Sequence, residues 1–263
     1  MKDLEFSHPM IAHAPKLVGE SSWSPGRVWQ DEEGPQMIDI PPGWFTMGEN
    51  AGDPLATDAE RPPHEVSIAA GLAFSTAAVT VAEFRHFCPA YLPEEDPGLP
   101  AVFVSWVDAT EYCAWLSLAT GRPYRLPSES EWEFACRAGS VGAFAFGDEI
   151  TPQQANYCDA VNGLRVGPGR RTPRGIYPAN EFGLHDVHGN VCQWVADVWH
   201  PDYDGAPAEG SAWTGRGDLR VLRGSAWDNQ APLLRCSHRD CLPRHTRRHN
   251  VGFRVAVRLE VGE

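Results

Sequence analysis

Gly183-Leu-His-Asp-Val-His-Gly-Asn-Val-Cys-Gln-Trp194, Arg220-Val-Leu-Arg-Gly-Ser-Ala-Trp227 and Asn250-Val-Gly-Phe-Arg-Val255 decide how this chain reads. Glycines beside tryptophans in short β-prone runs predict tight turns closed over an aromatic core, since glycine reaches backbone conformations barred to other residues and each indole buries a large apolar area. Between Trp227 and Asn250 the pattern stops, and the chain turns polar and rich in Arg and His. Anchored ends with an irregular middle describe a segment held by a rigid frame, the usual place for recognition or chemistry.

Upstream, residues 1–35 read as an irregular arm punctuated by Pro9, Pro15, Pro25 and Pro35. Met37–Ile40 and Trp44–Met47 then read as a strand pair across a Pro-Pro-Gly turn, and Glu65–Ile68 as a further strand. Three helices declare themselves by their caps: Thr80 with Glu83, Ser105 before Trp106, and Ser128 with Glu131. Gly121 and Gly139 mark the ends of the second and third. Helices confined to the first part of the chain, followed by Gly- and Pro-rich short strands without βα alternation, predict an α+β fold with one domain over residues 36–259. Trp106, Trp132, Trp194 and Trp227 are the expected buried indoles.

A net charge of −13 argues against nucleic-acid or anionic-membrane partners, which need a positive footprint. The charge is uneven, however: Arg235 to Arg254 carries six arginines and three histidines against one aspartate. Seven scattered cysteines without a CxxC, and no apolar run of signal-peptide length in residues 1–20, make a reduced, cytoplasmic setting the expectation. Cys88, Cys113 and Cys136 fall in helical segments and read as core; His185 and His188, three apart in a turn, read as solvent-facing. No phosphate loop, zinc-protease helix or Gly-x-Ser-x-Gly elbow is present.

Six blocks in order, Pro41–Gly48, Val104–Ala109, Tyr124–Glu133, Asn180–Asn190, Arg220–Gly224 and Val251–Arg254, resemble the formylglycine-generating enzyme family, the sulfatase-modifying-factor domain. The resemblance implies a variant C-type lectin fold with little regular secondary structure. It also implies, for the active branch, copper held by two thiolates, soft ligands suited to Cu(I). The positions matching those thiolates are Asp228 and Leu233. Cys236 and Cys241 have a similar mutual spacing. Registering on Arg254 instead puts Cys236 after the Arg of a strand, where the family has a small residue, so copper is not expected. For structural Ca²⁺ the resemblance implies Asp186, Gly189, Asn190 and Gln193, with Gln193 and Cys192 standing where the family has Glu and Trp. Asn156 matches a second calcium position whose downstream acidic partner is missing. The thiohistidine branch implies iron-binding histidines on a preceding helical bundle, for which the arm offers only His8 and His13.

A third branch, the variable proteins of diversity-generating retroelements, varies the segment corresponding to 228–250 through asparagine codons. Twelve positions here match its asparagines, and eleven hold residues such codons can reach, Gln230 being the exception. The reading is therefore a ligand- or protein-binding module. Its recognition residues are Asp228, Asn229, His238, Arg239, Asp240, Leu242, Arg244, Arg247, Arg248 and His249, with the arginines facing an acidic protein or small-molecule partner. The alternative is an oxidoreductase or accessory protein of the family acting on a cysteine or a histidine-derived thiol.

Overall fold

Capping boxes start all three helices. In α1 (Val81–Phe87), α2 (Trp106–Thr120) and α3 (Glu129–Arg137) the hydroxyl of Thr80, Ser105 or Ser128 accepts the N3 amide. In return the N3 carboxylate of Glu83, Asp108 or Glu131 accepts the cap N–H at 2.8 Å. Gly121 closes α2 with φ +75°, whereas α3 ends at Ala138, one residue before the expected glycine. The computed structural model describes residues 26–49, 52–161 and 164–259; most of the arm, including His8 and His13, lies outside them. Among the described residues no helix is long and apolar enough to cross a membrane.

The strands are β1 (Val28–Gln30), β2 (Gln36–Ile40), β3 (Gly43–Met47), β4 (His64–Ile68), β5 (Leu72–Ser75), β6 (Asp159–Val161), β7 (Leu164–Val166), β8 (Cys192–Val198), β9 (Leu219–Arg223), β10 (Asp240–Pro243), β11 (Val251–Phe253) and β12 (Ala256–Arg258). They form a sheet in the order β1-β2-β5-β12, a sheet in the order β10-β9-β8-β11, and the ribbons β3-β4 and β6-β7. All pairs are antiparallel except β8 with β11.

Two expectations are corrected. The second and third strands do not pair with each other. Pro41-Pro42 hold extended φ and cannot form the tight reversal a two-residue hairpin needs, so β3 runs on to pair with β4. Val28–Gln30, read as part of the arm, is a strand in register with β2, so the described domain begins before residue 36.

Successive side chains of the central strands enter different cores. Met37, Ala73, Trp194 and Leu222 pack with α1 and α2, while Ile38, Phe74, Val195 and Val221 pack with α3 and the β3-β4 ribbon. Strands covered on both faces place apolar residues at successive positions, as in Met37-Ile38, Ala73-Phe74, Trp194-Val195 and Val221-Leu222, which is why these stretches lack the polar alternation of a half-exposed sheet. Trp132 and Trp194 are fully buried; Trp106 and Trp227 are only partly so.

A lattice of buried charges binds the late segment to the early one. Glu129 and Glu133, one turn apart on α3, lie inside the protein. Glu133 accepts from Arg137 at 2.8 Å, from the Gly48 amide at 3.0 Å and from Arg223. Arg223 also donates to the carbonyls of Cys236, Ser237 and His238. Glu129 takes a two-pronged contact from Arg239 at 2.7 and 2.9 Å, and the Arg239 guanidinium lies over Tyr203 at 4.2 Å and Trp199 at 4.7 Å. Arg235 grips Glu60 at 2.6 and 2.8 Å and Asp53 at 2.9 Å.

Burial works against ionisation of Glu60, but hydrogen bonds from Arg235 and Ser237, with the Arg235 charge, outweigh it and bring the carboxyl down to about 2. A carboxylate with a lowered folded-state pKa contributes stability above its unfolded value that is lost as pH falls. We therefore expect unfolding free energy to drop between about pH 4.5 and pH 2, and Glu60→Gln to remove about 3 kcal/mol of that pH dependence. Urea titrations at stepped pH on both proteins check this; parallel curves would contradict it.

Candidate recognition surface

β10 and β11 are the two edges of one sheet, with β9 and β8 between them. Residues 244–250 connect those edges, so the loop crosses three inter-strand spacings, about 14 Å, over the end of the sheet. Arg244, His245, Arg247, Arg248 and His249 are all exposed along it. The loop is stapled from below. Arg247 donates to both carboxylate oxygens of Asp108 at 2.7 and 2.8 Å, and the Arg248 carbonyl accepts the Phe103 amide at 2.8 Å. Asp228, on the neighbouring turn, accepts from the Asn250 side chain at 3.0 and 3.2 Å and lies 3.2 Å from His249 Nε2. The His249 ring stands between the Trp227 ring at 5.7 Å and the Phe103 ring at 6.5 Å.

The structure thus brings Asp228, Arg248 and His249 together and adds Phe103, Trp227 and Asn250, which sequence reasoning missed. Phe103 gave one signal afterwards visible: it follows Ala101-Val102 and stays 37% exposed on a backbone of φ +56°, a conformation a phenylalanine adopts only when surroundings hold it. Arg244 pairs with Asp218 at 3.2 Å, both exposed. Asp240 is exposed at the start of β10, and Leu242 is half-buried against the core.

Other expected readers are frame. Arg239 is buried against Glu129, and residues 234–237 are buried with it, so the segment 228–250 is two exposed stretches around a core strip. The physical reason is the carboxylates of Glu60, Glu129 and Glu133, which draw Arg235, Arg239 and Arg223 inward. Asn229 commits its side-chain oxygen to the Ala226 amide at 2.8 Å. His238 is half-buried; burial chiefly, with Arg235 and Arg223 nearby, brings it down to about 4, so it is neutral at physiological pH.

The calcium set does not fit its ion. Gln193 Oε1 accepts from Trp132 Nε1 at 2.8 Å and from Arg254 Nε at 2.6 Å, and Asn190 Oδ1 accepts from the Thr172 amide at 2.9 Å and Asn156 Nδ2 at 3.2 Å. Gly189 turns its amide onto Gly224 O. Of these four residues, Asp186 alone has buried side-chain oxygens without a hydrogen-bond partner. Calcium takes about six to eight oxygens. Burial pushes Asp186 up to about 6, against the opposing charge of Arg254.

His188, read as solvent-facing, is buried. Its Nδ1 donates to Leu234 O at 2.7 Å, and the Phe144 and Phe146 rings flank it. Cys136 and Cys236 lie beside it, with sulfurs 3.6 Å apart. Cys241 sits elsewhere, on β10 opposite Val221.

Residues 26–259 match the sulfatase-modifying factor enzyme 1-like domain. The solved structure of PvdO from Pseudomonas aeruginosa is 35% identical and superposes with a TM-score of 0.81 over 90% of this chain and all of that one. Treponema denticola variable protein 1, at 20% identity and TM-score 0.70 over 85% of this chain and 95% of that one, shares the fold. Among curated proteins, the formylglycine-generating enzyme of Streptomyces coelicolor is 36% identical over 61% of this chain and 53% of its own length. The inactive C-alpha-formylglycine-generating enzyme 2 of Mus musculus is 30% identical over 75% and 76%. The chain spans between about a fifth and a half of the length of the first curated relatives it matches. These likenesses establish the expected α+β, C-type-lectin-like fold.

Proposed function

The chain belongs to the sulfatase-modifying factor enzyme 1-like family, and we propose that it uses that scaffold as a binding module whose reading surface is the edge-to-edge loop 244–250 with Phe103, Trp227 and Asp228. The observation that carries this reading is the tethering of an exposed, basic loop at both ends of one sheet, so that its side chains are presented without being needed for the core. Arg244 and Arg248 are the cations such a surface offers an acidic peptide. The exposed Arg244–Asp218 pair is worth little and exchanges readily for a ligand carboxylate. Asp228 and Leu233 at the positions matching the copper thiolates support binding over cysteine oxidation. So does the similarity to a relative named as an inactive formylglycine-generating enzyme.

The test is fluorescence anisotropy with a labelled glutamate-rich peptide. Binding is expected to weaken at least tenfold, about 1.4 kcal/mol, in Arg244→Ala/Arg248→Ala with thermal stability unchanged, and to fall with added salt. Binding indifferent to both the substitutions and the salt would end the proposal. A sulfatase-motif peptide incubated with the protein and Cu(I) is expected to keep its cysteine; its conversion to formylglycine would establish the oxidoreductase alternative instead.

A further inference from the structure

We propose that Arg220, with Arg244 beside it, is a binding site for one carboxylate group, at the β9–β10 end of the recognition surface. The proposal rests on the binding reading above and names what one part of that surface takes. Among the described residues six arginines are buried: Arg137, Arg220, Arg223, Arg235, Arg239 and Arg254. Arg137, Arg223, Arg235 and Arg239 each hold a carboxylate. Arg254 holds none, but engages Nε, Nη1 and Nη2 with Gln193, Ser75 O and His185 O. Arg220 does neither. Its Nη1 donates to Gly217 O at 2.9 Å and to Leu219 O at 3.1 Å, whereas Nε is enclosed without a partner and Nη2 forms no hydrogen bond. A buried cation without a counter-charge is costly. The protein gives this one only carbonyl dipoles and the ring of Trp106, 4.6 Å from the guanidinium.

The strand register puts a second guanidinium next to the first. Leu242 lies opposite Arg220, and two residues further along the Arg244 amide donates to Asp218 O at 2.9 Å. Alternate residues of a strand share a face, so positions 218, 220, 242 and 244 lie on one face of the pair, with 220 and 244 diagonal neighbours about 7–8 Å apart. Burial first, and then the Arg244 charge, push Arg220 down, with Asp218 opposing. Arg244 is exposed and bonded to Asp218 at 3.2 Å and to His245 Nε2 at 3.2 Å. Two guanidiniums against one carboxylate leave one positive charge over. A ligand carboxylate neutralises it, and a phosphate dianion overshoots. One carboxylate oxygen would accept from Arg220 Nη2 and the other from Arg244, both as charge-assisted hydrogen bonds. Leu242 and Trp106, both partly buried against the core, supply an apolar wall for the methylenes of a glutamate.

The experiment titrates the full chain, carrying nitrogen-15 in its arginine side chains, with sodium acetate at constant ionic strength and follows the side-chain resonances. The Arg220 Nε–H signal, identified by its loss in Arg220→Lys, is expected to shift to saturation while that of Arg216, exposed on the preceding loop, stays in place. Asp218→Asn, at an exposed position, removes the competing carboxylate and should tighten acetate about threefold. Inorganic phosphate should bind no more tightly than acetate. The labelled glutamate-rich peptide should bind Arg220→Gln about tenfold more weakly than wild type. If that variant does not fold, acetate on the wild type and on Asp218→Asn decides. An unmoved Arg220 signal, an equal shift at Arg216, no tightening in Asp218→Asn, or a preference for phosphate each overturns the proposal. Peptide held equally by wild type and folded Arg220→Gln overturns it too and leaves the binding reading standing. Peptide bound by neither, with the saturating acetate shift intact, supports the carboxylate site and ends the peptide reading.

Discussion

Glu133→Ala is expected to cost about 3–5 kcal/mol of unfolding free energy, because it strands two guanidiniums in the interior. Glu133 is fully buried and accepts from Arg137, Arg223 and the Gly48 amide. Arg223 is itself fully buried, with Trp132 beneath it at 5.2 Å. Once the carboxylate is gone, Arg223 retains the carbonyls of Cys236, Ser237 and His238 and the more distant Glu129, 3.7 Å away and already engaged by Arg239. Denaturant unfolding of the two proteins measures the loss, and a melting temperature lower by roughly 10 °C should accompany it. A difference under about 1 kcal/mol would mean that the guanidiniums find water or another anion, and that the lattice does not organise the interior. Replacing Glu133 by Gln keeps the acceptor for the Gly48 amide while removing the charge, so its cost should fall between the two.

Gly189→Ala should be nearly as severe, for a reason of shape. Gly189 has φ +80°, and a Cβ built there would sit 2.1 Å from the Asn156 carbonyl oxygen and 3.3 Å from Leu234. The left-handed backbone costs about 1–2 kcal/mol for a side-chain-bearing residue, and the forced shift of the Asn156 backbone about 1–3 kcal/mol more. Asn156 is bonded to Asn190 and to the Arg170 carbonyl, so the displacement spreads to the turn that carries His188. Hydrogen exchange should show faster opening at residues 155–157 and 187–191. Wild-type protection there in the alanine variant would mean that the turn moves without cost.

The sequence shows what is local and conceals what is distant. The capping boxes at Thr80 and Ser128, the helix start at Ser105 and the helix end at Gly121 each depend on residues within four positions of one another, and all are present as read; the Asp108 half of the Ser105 box is what the structure adds. The glycine-tryptophan blocks likewise announce the frame. The arginines are different. Arg235, Arg239, Arg244, Arg247 and Arg248 occupy one polar run, and nothing in the run separates them. What separates them is Glu60, Glu129 and Asp108, each more than a hundred residues earlier, which take Arg235, Arg239 and Arg247 and leave Arg244 and Arg248 outside. The same distance hid the cysteine pair at 136 and 236, and made His188 look like a surface residue. Gln193 looked like a weakened calcium ligand because its bonds to Trp132 and Arg254 cannot be read from its neighbours.

β11 lies along β8 at the edge of one sheet, and two residues later β12 lies along β5 at the edge of the other. Between them Arg254, fully buried, donates to Gln193, Ser75 O and His185 O. As a ribosome delivers the chain, neither sheet has its full set of described strands until β11 and β12 emerge. The arginine loop emerges just before them and has one loose end until β11 docks. Such a molecule closes like a clasp: the same few residues supply the edge strand of both sheets and the second anchor of the loop, so a chain lacking them would be short of all three.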